Sequence, residues 1–205
     1  MNTPTRRGRV LLAAGLALAA TLAGAQSPVD ADPASADTAL ARAEAAVADL
    51  GQTLRAALKA RLEQGGAVDA VDFCHAQAPA IAAAVSARHG VRVGRTALRH
   101  RSPGNAPSDW QRDVLEDFAA RAAAGAAPAT LRATVRAGLP AGVALRHARG
   151  IPTEPVCLAC HGSAIAAPVA AAIAARYPRD TATGFAAGDL RGMFWAEVDA
   201  ANAQP

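Results

Sequence analysis

The chain is short of large side chains. Seven of its 205 residues are aromatic (four Phe, two Trp and one Tyr), and although half are hydrophobic by count, much of that half is alanine. A core made from such residues alone lacks apolar bulk. A surplus of one charge is missing too. The formal +4 falls to +1 once residues 1–25 are set aside, because that stretch carries three arginines and no acid. No basic stripe with interleaved aromatics remains to follow a phosphate backbone, which argues against a nucleic-acid binder. No second long apolar run follows the first, so no membrane anchor is expected in the mature chain. No distal acid–base pair can be named either, which leaves peroxidase-type catalysis unsupported and favours a binding protein over an enzyme. There is no internal repeat.

What is present begins with an export signal. Thr5-Arg6-Arg7-Gly8-Arg9 is a basic opening, Val10 to Leu22 an apolar run, and Ala23-Gly24-Ala25 a small-x-small cleavage site,. A leader over 1–25, cut near Ala25, implies periplasmic export. Arg9 stands where a twin-arginine signal wants an apolar residue, so simple secretion fits better. Residues 26–36 are a Ser, Pro and Asp spacer without periodicity, and 37–200 make one domain of ordinary size,.

Cys157-Leu158-Ala159-Cys160-His161 is a C-x-x-C-H run, the signature of covalent c-type haem attachment,. Two thiols and an imidazole on one helical turn let both sulfurs reach the porphyrin vinyls while the histidine meets the iron. A zinc site needs two further ligands, and a redox C-x-x-C leaves the adjacent histidine idle. A single haem c would also supply the missing apolar bulk.

The periodicity predicts a helix over 37–63, with Leu40, Ala43, Val47, Leu50, Leu54 and Leu58 on one stripe, stopped by Gly65-Gly66,. A second helix, 67–88, carries Val71, Cys74, Ala78, Ile81 and Val85 on its inward stripe,. Cys74 can be a buried thiol acting as a small hydrophobe, or a second iron ligand. Pro79 bends this helix one turn beyond it. Residues 91–99 read as a strand, Ser108 with Gln111 as a capping box for a third helix, 143–149 as a strand and 164–176 as a short helix. Residues 184–198 read as a hairpin turning at Gly188-Asp189; 126–140 carry no clear pattern. Strands separated by helices give an α+β domain. Arg95, Arg99 and Arg101 cluster where haem propionates could find cationic company.

One family carries the following in this order: Cys74 with Ala78-Pro79-Ala80-Ile81-Ala82, Arg95-Thr96, Arg101 to Trp110, the C-x-x-C-H-Gly run, Tyr177 to Ala182, and Gly184 to Gly192. The chain resembles, over about residues 40–198, the single-haem c-type family catalogued as a domain of unknown function, which occurs as soluble exported proteins and as the sensing portion of membrane histidine kinases. The resemblance implies a PAS-like antiparallel sheet flanked by helices, and iron held between Cys74 and His161. The chain departs from the pattern with Gly104 in the Arg-x-Pro loop and with Phe185 where tyrosine is common. Other sixth ligands would be Met193, giving an ordinary cytochrome, or His75, His89, His100 or His147, giving a bis-histidine site.

A low-potential redox or gas-sensing module is one expectation; a periplasmic electron-transfer cytochrome is the alternative. Sensing would need a small gas ligand and a separate redox or signalling protein as partner. With so few large side chains, the haem-free chain is expected to lack a cooperative melt at the temperature of the loaded protein, which calorimetry of the apoprotein checks.

Overall fold

Residues 33–89 form one long element that doubles back on itself. The structure, a computed structural model, describes Met1 and residues 33–203. The expected leader, Met1 apart, and residues 26–32 of the expected spacer lie outside the described residues. Helix α1 (Pro33–His89) starts four residues earlier than expected, at a proline, which suits a first turn whose amides have no partner anyway,. Within it Gly66 leaves helical geometry at φ 75 and ψ −169, a region open essentially to glycine alone. The two predicted helices are therefore the two arms of a hairpin. Arg61 in the first arm lies 4.6 Å over the Phe73 ring of the second. Farther from the turn, Asp49 accepts from His89 at 2.9 Å and pairs with Arg88 at 3.2 Å. The His89 contact holds the Asp49 carboxyl below its usual pKa.

Four antiparallel strands follow: β1 (Arg92–Thr96), β2 (Arg132–Val135), β3 (Val143–Pro152) and β4 (Leu190–Asp199), in the order β1-β4-β3-β2. Helix α2 (Asp109–Ala123) sits between β1 and β2; α3 (Leu158–His161) and α4 (Ala167–Arg176) sit between β3 and β4. This is the α+β architecture expected, an antiparallel sheet flanked by helices with a long helix at its start. No helix among the described residues is long and apolar enough to cross a membrane.

Alternation along β4 divides the core in two. Phe194, Ala196 and Val198 face the α1 hairpin, where Ala39, Ala43, Ala46, Val47, Leu50 and Val85 pack on them with Leu145. Met193 and Trp195 face the other way, toward Leu115 and Phe118 of α2 and Leu131. At Gly51 the helix comes close to the sheet: a Cβ there would lie 3.1 Å from the Phe194 ring. The capping box forms as expected, with the Ser108 amide donating to Gln111 Oε1 at 3.0 Å.

Three expectations need correction. The strand expected at 91–99 ends at Thr96, because the chain leaves the sheet before the Arg101 loop. Residues 132–135, without pattern in the sequence, are the edge strand β2, paired to β3. The hairpin expected at 184–198 has only one strand. Residues before Leu190 make a turn in which Asp189 Oδ2 accepts the Ala186 amide at 2.7 Å, and β4 pairs with β1 and β3 instead.

At the Gly66 reversal a Cβ would have nothing within 4 Å of it, so a side chain there strains only the backbone. Gly66→Ala should lower the unfolding free energy by about 1–3 kcal/mol in urea titration.

Candidate functional site

The C-x-x-C-H segment is held by its own turn and by a distant loop. A 3-10 turn at Pro155–Cys157 leads into α3, which ends at His161. Gly162 follows, where a Cβ would sit 2.7 Å from the Leu158 oxygen. The Gly184 and Phe185 amides donate to the Gly162 and His161 carbonyls, each at 2.9 Å. These are the bonds that the expected hairpin would have spent on a strand.

His161 Nδ1 lies 2.7 Å from the Ala182 carbonyl. A carbonyl only accepts, so Nδ1 carries the proton and Nε2 keeps a free lone pair. Burial, reinforced by Arg191 and Arg101, pushes this imidazole down to about 3, so it stays neutral. A buried, neutral, oriented imidazole is what a metal asks of a histidine ligand.

Cys74, Arg95, Arg101, Cys157, Cys160 and His161 line one cavity on the hairpin side of the sheet. Cys74 arrives from the second arm of α1, Arg95 from the end of β1, and Arg101 from the following loop. Burial raises the Cys74 thiol, against the pull of Arg95 and Arg101, and raises the Cys160 thiol as well. The rest of the wall includes Leu58, Leu62, Val71, Ile151 and Phe194. Of the other ligands considered, only His100 lines this cavity. Met193 is fully buried in the α2 core, His147 is buried on β3 against Thr134, His89 is on Asp49, and the His75 ring stands edge-on to Tyr177 at 5.0 Å.

The arginines divide. Arg101 is almost buried, pairs with Asp180 at 3.2 Å and donates to the Cys160 and Ala182 carbonyls. Asp180 in turn accepts the Ala182 amide at 2.8 Å. Arg101, Asp180 and Ala182 thus brace the carbonyl that orients His161. Arg95 makes no hydrogen bond or ion pair among the described residues, and burial lowers its pKa. Arg101 Nε, Arg191 Nε and His100 Nδ1 are buried without a hydrogen-bond partner, and all three residues line the cavity. The two arginine Nε groups can only donate, and buried cationic donors left over ask for an anionic partner,.

Arg99, expected beside them, is elsewhere: it stacks 4.4 Å over Phe185 and donates to Thr181 O at 3.2 Å. Arg191 and Tyr177 were not singled out in the sequence. Burial and the neighbouring Arg95 and Arg101 bring Arg191 down to about 10. Both residues stand inside the stretches Tyr177 to Ala182 and Gly184 to Gly192, and that is the only signal that could have found them.

Compared with known proteins, residues 25–198 match the family model described as Tll0287-like. Among solved structures the chain is similar to the cyanobacterial heme-protein Tll0287, at 25% identity and a TM-score of 0.59, over 83% of this chain and 98% of that one. No curated protein matches.

Removing Asp180 would leave the Arg101 guanidinium buried without its counter-charge. Asp180→Ala should cost about 3–5 kcal/mol in chemical denaturation, and Arg101→Leu/Asp180→Ala should cost less than Asp180→Ala alone.

Proposed function

The chain belongs to the Tll0287-like family, and from that we propose that it is a haem-binding protein, with one haem c joined to Cys157 and Cys160 and the iron between His161 and Cys74. The observation that carries this is the meeting of those four side chains in one largely apolar cavity, although Cys74 and Cys157 stand 83 positions apart. The fit is chemical. Unspent donors on Arg101 and Arg191 suit two propionates, and the lone pair on His161 Nε2 suits iron. Among the described residues no three His, Cys, Asp or Glu side chains gather closely enough to hold a metal ion by themselves. A porphyrin would remove that need, because its own nitrogens would supply most of the iron's ligands and leave only His161 and Cys74 to the protein. The cavity measures about 220 Å³, below the roughly 300–1,000 Å³ of small-molecule sites, so a bound haem would require its walls to stand farther apart.

When bound, the haem supplies a one-electron ferric/ferrous couple. The residues then set its poise. Burial favours the protonated Cys74 thiol, while the charge of a coordinated ion favours the thiolate. A Cys74 thiolate would put negative charge beside the iron, which would stabilise the ferric state and lower the potential. Because burial favours its thiol form, Cys74 is the ligand that would take up a proton from solvent and leave when the iron carries one positive charge less. We therefore propose a low-potential redox or gas-sensing module, exported to the periplasm and read by a separate protein. A periplasmic electron carrier is the competing outcome; it requires Cys74 to stay bound in both states.

Pyridine haemochrome absorption and mass spectrometry of protein from a haem-maturing host should show one covalent haem; colourless or zinc-bearing protein refutes the proposal. Cys74→Ser should alter the ferric spectrum and raise the potential. Carbon monoxide should shift the ferrous spectrum of the parent protein, and an unchanged spectrum selects the electron carrier.

A further inference from the structure

A second cavity, of about 730 Å³, lies on the α2 face of the sheet at the same end as the first. Its size falls within the roughly 300–1,000 Å³ of small-molecule sites. Leu115, Ala119 and Ala122 of α2 form one side and Pro152 and Leu190 the other. Its ionic groups are Arg99, Arg191 and one acid, Asp189, whose carboxylate already accepts the Ala186 amide. Apolar walls with a surplus of guanidinium suit an apolar molecule bearing an anion.

The two cavities share Arg191 and Gly192. At Gly192 the chain lies so close to β1 that a Cβ would be 2.4 Å from the Thr96 oxygen, which makes the partition one backbone thick. Beside it the Phe185 ring carries two guanidiniums, Arg99 at 4.4 Å and Arg191 at 5.2 Å from its centroid. The Phe185 and His161 rings stand at 89° with centroids 6.4 Å apart, and the Phe185 amide donates to the His161 carbonyl. Arg99 is thus both a wall of the second cavity and a stacking partner of Phe185.

We propose that this groove binds a small amphipathic carboxylate, with its head on Arg99 and Arg191 and its tail along the Leu115–Ala122 side of α2, and that occupancy is transmitted to His161 through Phe185. Binding stands on the groove alone; transmission rests on the haem reading given above. A carboxylate drawing Arg99 toward the groove takes its guanidinium off the Phe185 ring, and Phe185 then shifts against the candidate iron ligand.

The test titrates the purified holoprotein with octanoate, and with 1-octanol as the uncharged control, by calorimetry and by haem absorption. Octanoate should saturate one site at least about tenfold more tightly than octanol, the worth of a charge-assisted contact. Arg99→Leu should remove that advantage, and Ala119→Trp, which fills the groove, should abolish both. Octanoate binding no tighter than octanol, or undiminished in Arg99→Leu, overturns the site; if Ala119→Trp does not fold, Arg99→Leu decides. Octanoate binding that leaves the haem spectrum unmoved overturns the transmission. Pyridine haemochrome content, measured on the same samples, reports failure of the haem reading separately from failure of the groove.

Discussion

The turn at Gly66 is the constraint on which the rest depends. Without its backbone geometry, φ 75 with ψ −169, the helix would run straight on and carry Cys74 away from the sheet. With it, the second arm folds back along the first, held by Asp49 with His89 and Arg88 and by Arg61 on Phe73. Both arms then lie on one face of the sheet, and Cys74 comes to rest over the cavity that His161 enters from the other end of the chain. The hairpin therefore determines whether the two candidate ligands, from distant parts of the sequence, can line one cavity.

The opposing wall is braced in another way. His161 is steered by a carbonyl, that carbonyl's residue by Asp180, and Asp180 by Arg101, whose guanidinium also reaches back to the Cys160 carbonyl. Each member holds the next, so loops with little regular structure present a ring of fixed orientation and tautomer. One wall is a helical arm pinned by Asp49 with Arg88 and by Asp72 with Arg176, and the other is a polar brace.

The same end of the sheet concentrates positive charge. Arg95, Arg101 and Arg191 border the candidate haem cavity, and Arg99 and Arg191 the groove behind it. Guanidinium groups this close repel one another unless anions come between them, and few acids are at hand besides Asp180 and Asp189. The charge distribution is thus better suited to holding carboxylate-bearing molecules than to stabilising the empty protein.

Features that depend on neighbours a few residues away were legible in the linear order. The helical stripes, the Gly65-Gly66 stop, the Ser108–Gln111 box and the C-x-x-C-H turn all follow from spacing, because their partners lie within one or two turns of the same chain. The strand at 132–135 was not legible: it is a four-residue edge whose stability comes from pairing with β3. Phe185 looked like a strand residue, yet its amide is spent on His161. Arg99 and Arg101 stand two apart in a loop with no period to orient them, so only the packed loops decide that Arg101 lines the candidate haem cavity and Arg99 the groove. The individual groups of the site could be named from their local chemistry. Their convergence could not, since residues 74, 95, 101 and 161 are brought together by the order of the strands and the sense of one glycine turn, which are contacts between distant parts of the chain.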